Sequence, residues 1–313
     1  MNNENSQLNV LFSADNNYAQ HLGAAMYSLL ATNKDFEKIN LFVVDNEISE
    51  ENKEKLFEVV KLFCNANVTF LDFLSLKEKL SLNMPWQISI SAYARLFVSE
   101  LLPRKIKKIL YLDCDMIVLD SLTRLWNTDF QGNVLAAVQD AVGDSIKTSV
   151  GLSPEQEYFN SGMLLIDIDE WNCQKIGAKC LEFIASQNGS VVHHDQGVLN
   201  GVLKNRWRKV DLQYNLMTIH YFFNLNQINK YFQNHSDFYS VKEIAQAKNK
   251  PTIIHYTPSF TTRPWVKNCK HPLKGKYREA LANTPWKSEK LQTDCSKWYI
   301  KLINWRYRNS LLY

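Results

Sequence analysis

Two aspartates separated by one residue, Asp113 and Asp115, follow an apolar run over residues 108–112. On an extended segment, side chains two residues apart point the same way, so both carboxylates can reach one hard cation. A divalent ion held by two carboxylates keeps coordination positions open, and the phosphates of a nucleotide can fill them. An isolated Asp-x-Asp is more often a surface turn, but a second apolar stretch, residues 116–119, follows this pair. Close carboxylates flanked by core repel each other unless a cation or a basic group neutralises them, which predicts a metal site.

Four further residues are candidates for chemistry. His255 ends an apolar, strand-like run, where a lone histidine is more often a core residue than a ligand. Arg95 lies in an otherwise apolar helical stretch, so its charge needs an anion, either an aspartate or a phosphate. Asp195 precedes a predicted helix, and capping that helix is the simplest interpretation of it. Gly162 either admits a close ligand or relieves backbone strain.

Strands and helices alternate through the first 120 residues, which predicts an α/β protein with a mainly parallel sheet and helices on both faces. Ligands in such sheets bind beyond the carboxyl ends of the strands, here residues 15–17, Asp45 and residues 113–115. The hydrophobic patterns predict strands over residues 8–13, 39–44, 67–71, 134–138 and 162–168, and a strand that ends before Asp113. They predict helices over residues 19–31, from about Ser49, and over 91–101, 171–185 and 196–203, with long connections over 141–158 and 212–250.

The chain has 313 residues, of which 45% are hydrophobic, enough for one large domain or for one domain plus an appendage. No apolar run is long enough to span a bilayer and the first residues lack a signal-peptide core, so we expect a cytoplasmic protein. The six cysteines lack zinc-type spacing, which predicts free thiols in a reducing compartment.

The charge distribution divides the chain into residues 1–265 and residues 266–313. The C-terminal segment has eleven Lys and Arg against three acidic residues, a formal charge of +8, which leaves −4 for the rest. Its basic residues are interleaved with tryptophans and tyrosines, a composition that suits an anionic membrane surface at the inner face of the membrane. Structural capping of the main domain is an equal alternative, and nucleic-acid binding is a weaker one.

Several common activities lack their motifs. The sequence contains no Walker A motif, no GxGxxG after the first strand and no GxSxG. This argues against P-loop hydrolysis, ordinary dinucleotide binding and α/β-hydrolase chemistry.

In this order, the motifs resemble family 8 of the retaining glycosyltransferases, which includes bacterial lipooligosaccharide galactosyltransferases and glycogenin. The resemblance covers roughly residues 8–265. It rests on residues 11–18 (LFSADNNY), 91–96 (SAYARL), 111–115 (YLDCD), 159–166 (FNSGMLLI) and 195–200 (DQGVLN), and on His255-Tyr256 followed by Arg263-Pro264-Trp265.

The resemblance implies a GT-A fold, which is Rossmann-like, and a set of site residues. It places the nucleotide of a UDP-sugar against Ser13, Ala14, Asp15 and Asn17, with Arg95, Cys114 and Arg263 also at the donor. It assigns Asp113, Asp115 and His255 to a Mn²⁺ ion, with Mg²⁺ as the alternative, and it assigns catalytic positions in the sugar pocket to Asn160, Asp195 and Gln196.

The implied activity is retaining transfer of galactose or glucose, with galactose favoured, to a hydroxyl of a saccharide acceptor on a lipid- or protein-linked glycan. Gln196 would lie near the anomeric carbon, and because an amide is a poor nucleophile, a front-side reaction is expected. The alternatives are a non-catalytic nucleotide-sugar binding module and a UDP-sugar hydrolase.

Three positions depart from the family pattern. Gly197 replaces the second aspartate of Asp-Gln-Asp, Pro258 replaces a glycine, and Arg263 replaces a lysine after a longer intervening segment. These changes bear on donor-sugar identity and on the loop over the diphosphate. Arg263 retains the ability to bind phosphate, bidentately rather than as a point charge.

Overall fold

The computed structural model of the protein describes residues 7–72, 93–233, 235–258 and 260–295. Its strands are β1 Gln7–Asp15, β2 Lys38–Asn46, β3 Ala66–Asp72, β4 Lys108–Leu112, β5 Met116–Val118, β6 Leu135–Gln139, β7 Phe159–Asp167, β8 Trp207–Lys209, β9 Leu216–Met217 and β10 Ile253–His255. Its α-helices are α1 Ala19–Thr32, α2 Glu50–Lys61, α3 Val98–Leu101, α4 Thr123–Trp126, α5 Asp144–Ser149, α6 Ile168–Cys173, α7 Ile176–Ser186, α8 His194–Leu203, α9 Ile219–Phe222, α10 Leu225–Phe232, α11 Val241–Asn249 and α12 Lys274–Leu281. Short 3₁₀ helices cover Asn16–Tyr18, Ala94–Phe97 and Leu212–Asn215.

The main sheet has seven strands in the order β3-β2-β1-β4-β7-β6-β8. All neighbouring pairs are parallel except those of β7, which runs antiparallel to β4 and β6. Successive residues of β1 belong to different hydrophobic clusters, with Val10 and Phe12 on one side and Leu11 on the other. Both faces are therefore covered, and the predicted mainly parallel α/β sheet is confirmed.

A second sheet of three strands, β5-β10-β9, joins distant parts of the chain. Strand β10 runs antiparallel to β5, and His255 is the register partner of Met116. Because Met116 directly follows Asp115, this pairing carries His255 to the aspartate pair.

Four element predictions need correction. The connection predicted over residues 141–158 contains helix α5. The predicted helix over residues 171–185 is two helices, because Lys175 adopts a left-handed conformation with φ 54° between α6 and α7. The helix predicted over residues 91–101 is a 3₁₀ turn followed by α3, with residues 91 and 92 outside the described part. Residues 212–250 are not a connection, because they form α9, α10 and α11, and the last two begin with capping boxes.

Residues 266–295 pack against the main domain. Helix α12 contacts α1, and the ring of the buried Trp286 lies against Gly23 of α1. This part of the C-terminal segment therefore packs on the main domain, as the structural-capping alternative expects. Residues 296–313, which contain most of the aromatic residues of the segment, lie outside the described residues. In the part of the chain that the structure describes, no helix is long and apolar enough to span a bilayer. All six cysteines are free thiols, as predicted.

Candidate active site

Two carboxylates and an imidazole converge beyond the end of β4. The Nε2 atom of His255 lies 3.2 Å from Oδ1 of Asp115 and 3.9 Å from Oδ2 of Asp113. One ligand atom from each of the three residues lies within 4.8 Å of the other two. Oxygen and imidazole donors at this spacing suit a divalent metal ion.

Gly162 on β7 makes this convergence sterically possible. A Cβ atom at this position would lie 2.5 Å from Cε1 of His255 and 2.9 Å from Oδ2 of Asp113. The backbone of Gly162 is not in the left-handed region, so relief of strain does not explain the glycine. Close approach explains it, and the groups that approach are the imidazole and the carboxylate.

The orientation of the His255 ring follows from a hydrogen-bonded chain of amides. The amide nitrogen of Asn215 donates to Oδ1 of Asn160 at 2.8 Å, which leaves the Asn215 oxygen to accept from Nδ1 of His255 at 2.9 Å. Nδ1 therefore carries the proton, and the lone pair of Nε2 faces the aspartates. Burial lowers the pKa of His255, which favours the neutral, metal-binding form. These features fit a bound cation.

Two arginines neutralise the charge of the two aspartates, one arginine pairing with each. Arg95 donates to Oδ1 of Asp113 at 2.7 Å, and its Nε lies 3.1 Å from Oδ2 of Asp195. Arg263 pairs with Asp115. Burial alone would lower the pKa of Arg95, but the two aspartates outweigh burial and raise it. The anion that the sequence required for Arg95 is thus a pair of aspartates.

Asp195 does not cap helix α8, so that interpretation is wrong. The helix begins at His194, and the preceding His193 is left-handed and forms no side-chain cap. The carboxylate of Asp195 instead turns inward, where it pairs with Arg95 and accepts from the Ser161 hydroxyl at 2.9 Å. Burial raises the pKa of Asp195, and Arg95 opposes that rise.

The side-chain amide of Gln196 is held on both sides. Its oxygen accepts from the amide nitrogen of Asn160 at 3.2 Å and from the backbone N–H of Ser161 at 3.1 Å. Its nitrogen donates to Oδ2 of Asp140 at 3.0 Å. The side-chain amide oxygen of Gln196 thus accepts two hydrogen bonds, which makes it a weaker nucleophile than the oxygen of a free amide.

A cavity of about 300 Å³ lies beside the aspartates, at the carboxyl ends of β1 and β4. Among the described residues, the Ser13 hydroxyl is buried without a hydrogen-bond partner. The thiol of Cys114 donates to the Ser13 carbonyl at 3.2 Å and so joins the two strand ends, and burial raises the pKa of this thiol. The cavity is lined by Ser13, Ala14, Asp15, Tyr18, Arg95, Tyr111, Asp113, Cys114, Asp115 and Arg263.

Two residues expected at this edge do not line the cavity. Asn17 is exposed in the 3₁₀ turn after β1. Asp45 accepts from the backbone N–H of Ile48 and pairs with Lys53 at 2.7 Å, so it stabilises the start of α2. Conversely, Tyr18, Tyr111, Asp140 and Asn215 belong to the site and were not predicted. Asp140 at the end of β6 had a sequence signal, because it too follows an apolar strand.

This arrangement is that of GT-A glycosyltransferases. It combines a mainly parallel α/β sheet, an Asp-x-Asp pair after an inner strand, a histidine beside the pair and a cavity at the strand ends. The sequence profile of Glycosyl transferase family 8 matches residues 9–269. The chain belongs to that family, and the GT-A fold implied by the sequence is confirmed.

Individual relatives agree with this assignment. General stress protein A of Bacillus subtilis is 30% identical over 283 residues, covering 89% of this chain and 94% of that protein. Lipopolysaccharide 1,2-glucosyltransferase of Escherichia coli is 27% identical over 293 residues, covering 92% of this chain and 81% of that protein. The structure of the galactosyltransferase LgtC in complex with donor and acceptor sugar analogues superposes with a TM-score of 0.69 at 26% identity, covering 89% of this chain and 96% of that one.

The structure explains the departure at position 197. A Cβ atom on Gly197 would lie 1.9 Å from the carbonyl oxygen of Val192, because residues 193 and 194 are both left-handed and fold the chain back onto α8. No side chain fits there without movement of this turn. The backbone conformation of this turn therefore requires a glycine at position 197 and leaves no room for an aspartate side chain.

Proposed function

We propose that this glycosyltransferase is a Mn²⁺-dependent retaining hexosyltransferase that moves galactose, with glucose as the alternative, from a UDP-sugar to a hydroxyl of a saccharide acceptor. The acceptor is a glycan linked to lipid or protein. The observation that carries the proposal is the convergence of Asp113, Asp115 and His255 beside the cavity at the strand ends.

The cavity offers groups suited to each part of a nucleotide diphosphate. The hydroxyl of Ser13, which has no hydrogen-bond partner in the described part of the chain, and the carboxylate of Asp15 are suited to the polar edges of uracil and to the ribose hydroxyls. The half-exposed ring of Tyr18 offers a stacking surface for the base. The guanidinium of Arg263 lies where a phosphate would meet the aspartates, and it can bind phosphate bidentately.

Asp113, Asp115 and His255 would hold the cation. The imidazole donor favours Mn²⁺ over Mg²⁺, which prefers oxygen ligands alone. When bound, the cation stabilises the negative charge that grows on the departing diphosphate.

The side chains beyond the cation favour a front-side reaction. The Gln196 oxygen already accepts two hydrogen bonds, so it positions the sugar and does not attack it. In a front-side reaction the acceptor hydroxyl attacks the anomeric carbon on the face that UDP leaves. As the bond between that carbon and the phosphate oxygen breaks, the same phosphate oxygen takes the hydroxyl proton. The configuration at the anomeric carbon is retained.

The assignment of galactose rests on likeness to LgtC, a galactosyltransferase by its description, and the relative that transfers glucose keeps glucose open. A screen of UDP-sugars against simple glycosides, read by mass spectrometry, distinguishes the two. Release of free UDP that does not rise when an acceptor glycoside is added would indicate a hydrolase instead.

The essential test is Asp115→Asn in the full-length chain. Turnover of UDP-galactose with Mn²⁺ should fall at least about 100-fold, because one ligand loses its charge at the position where negative charge develops. Thermal unfolding shows whether the variant folds. Unchanged turnover by a folded variant would contradict the metal role, and absence of turnover by the wild-type protein with every donor would favour the non-catalytic binding module.

We also propose that residues 296–313 attach the enzyme peripherally to an anionic membrane. Lys297, Lys301, Arg306 and Arg308 alternate there with aromatic residues. Deleting only these residues keeps α12 and Trp286 in the chain, and thermal unfolding shows whether the truncated protein folds. Flotation with vesicles containing anionic phosphatidylglycerol should capture the full chain and lose the truncated one, and equal capture would contradict the proposal.

A further inference from the structure

Tyr277 of the C-terminal helix α12 contacts residues that lie next to the predicted donor site. The hydroxyl of Tyr277 lies 2.7 Å from Nδ1 of His21 on α1, and it accepts from the side-chain amide of Gln20 at 3.2 Å. Tyr277 and His21 are both buried. The hydroxyl has one proton, and donating it to the imidazole leaves a lone pair for the Gln20 amide.

His21 in turn supports the indole of Trp265. The two rings are stacked, with centroids 3.7 Å apart and an interplanar angle of 20°. The ring of Tyr277 lies 5.3 Å from Trp265 on another side. The indole is thus held by residues from α1 and from α12, which are more than 250 positions apart in sequence.

Trp265 contacts two residues of the donor cavity. The guanidinium carbon of Arg263 lies 5.6 Å from the centre of the indole, and the ring of Tyr18 meets the indole edge-on at 6.2 Å. Both residues line the cavity. Arg263 therefore contacts both the indole of Trp265 and the carboxylate of Asp115.

Resting on the proposed binding of a UDP-sugar, we propose that Tyr277, His21 and Trp265 are positioning residues of the donor site, which act by holding Arg263 where it meets the diphosphate. This stack makes residues 266–295 part of the donor-binding apparatus, although the charge distribution separates them from the catalytic domain. Its contribution concerns donor affinity and not the chemical step, because none of the three side chains reaches the aspartates.

The test is Tyr277→Phe in the full-length chain, which keeps the ring and removes the hydroxyl. Loss of the two hydrogen bonds should weaken UDP binding in the presence of Mn²⁺ about fivefold to tenfold by calorimetry. The KM for the UDP-sugar should rise by a similar factor, with kcat unchanged. A loss of folded protein alone would instead lower kcat and leave KM unchanged.

The matched control is Tyr221→Phe. The hydroxyl of Tyr221 is buried without a hydrogen-bond partner among the described residues, so its removal should leave UDP affinity unchanged. A double-mutant cycle with Arg263→Lys tests the route, because the effect of Tyr277→Phe should shrink once the guanidinium is gone.

Two outcomes overturn this inference alone: UDP affinity equal in wild-type and Tyr277→Phe proteins, or fully additive effects in the cycle. Failure of the wild-type protein to bind UDP would overturn the proposed function and this inference with it.

Discussion

The affinity of the Asp113, Asp115 and His255 cluster for a cation depends on residues that would not bind the cation themselves. Asn215 fixes which imidazole nitrogen is free, and Gly162 leaves the space in which the ring meets the carboxylates. Supporting groups of this kind commonly change metal affinity by about 10- to 100-fold. Substitutions at Gly162 and Asn215 should therefore change the affinity for the cation, which can be measured separately from turnover.

Gly162→Ala tests the steric requirement. The added Cβ would lie 2.5 Å from the His255 ring, so the ring must move away from the carboxylates. We expect Mn²⁺ affinity to fall at least about tenfold by calorimetry. Gly275→Ala is the matched control, because among the described residues no atom outside its own helical turn lies within 4 Å of the added Cβ. The Mn²⁺ affinity of this variant should equal that of the wild type. Equal affinity of Gly162→Ala and wild type would contradict this role.

The residues of the site differ in how far the sequence could reveal them. Asp113 and Asp115 were predictable because their spacing is local and the surrounding pattern is apolar. His255 became a candidate because it ends an apolar, strand-like run, and only the family resemblance assigned it to the cation. Asn215 could not be found, because it meets His255 across 40 positions and lies in a segment without a motif. Such long-range partners depend on the fold and leave no local pattern.

At the scale of elements, the turn before α8 determines where Gln196 lies. His193 and His194 are both left-handed, an unusual conformation for non-glycine residues, and they bring the Val192 carbonyl against Gly197. The sequence showed Gly197 only as a lost aspartate, since backbone conformation is not visible in a motif. The same limit applies to the break at Lys175, because a left-handed residue leaves no sequence pattern. The starts of α10 and α11, by contrast, carry the capping-box patterns Asn-x-x-Gln and Ser-x-x-Glu, which indicate helices from the sequence alone.

Restoring the family aspartate should therefore harm the protein. In Gly197→Asp the new Cβ would meet the Val192 carbonyl at 1.9 Å, and the turn must move. We expect a loss of about 2 kcal/mol in the free energy of unfolding, measured in urea, together with reduced transfer activity. Gly275→Asp in the first turn of α12 serves as the control and should leave the free energy of unfolding and the transfer activity unchanged. Higher activity of Gly197→Asp would show that position 197 is open to the sugar pocket.

At the scale of the whole molecule, three histidines are buried in addition to His255. They are His21, His220 and His271, which are 2%, 0% and 1% exposed. Burial lowers the pKa of His21 and His220 to about 3 and that of His271 to about 4. The folded state therefore favours the neutral ring, whereas the unfolded chain takes up protons near pH 6.5.

Stability should consequently be intact above about pH 6.5 and fall as the pH is lowered toward 4. Each histidine contributes about 1.4 kcal/mol per pH unit to the slope of the unfolding free energy over this range. His220→Phe should reduce that slope by this amount, because the new ring keeps the stacking on Phe238 and cannot be protonated. Urea unfolding of both proteins between pH 4.5 and 7 measures the difference, and identical slopes would contradict the assignment.

Binding of Mn²⁺ in the presence of UDP tests the central claim most directly. Calorimetric or paramagnetic-resonance titration should give one Mn²⁺ per wild-type chain, with affinity increased by UDP, since the cation and the diphosphate share one site. In His255→Ala the affinity for Mn²⁺ should fall at least about tenfold while the protein remains folded. Equal Mn²⁺ affinity in the two proteins, or wild-type binding that UDP does not change, would contradict the assignment of these three residues to a cation that holds the donor.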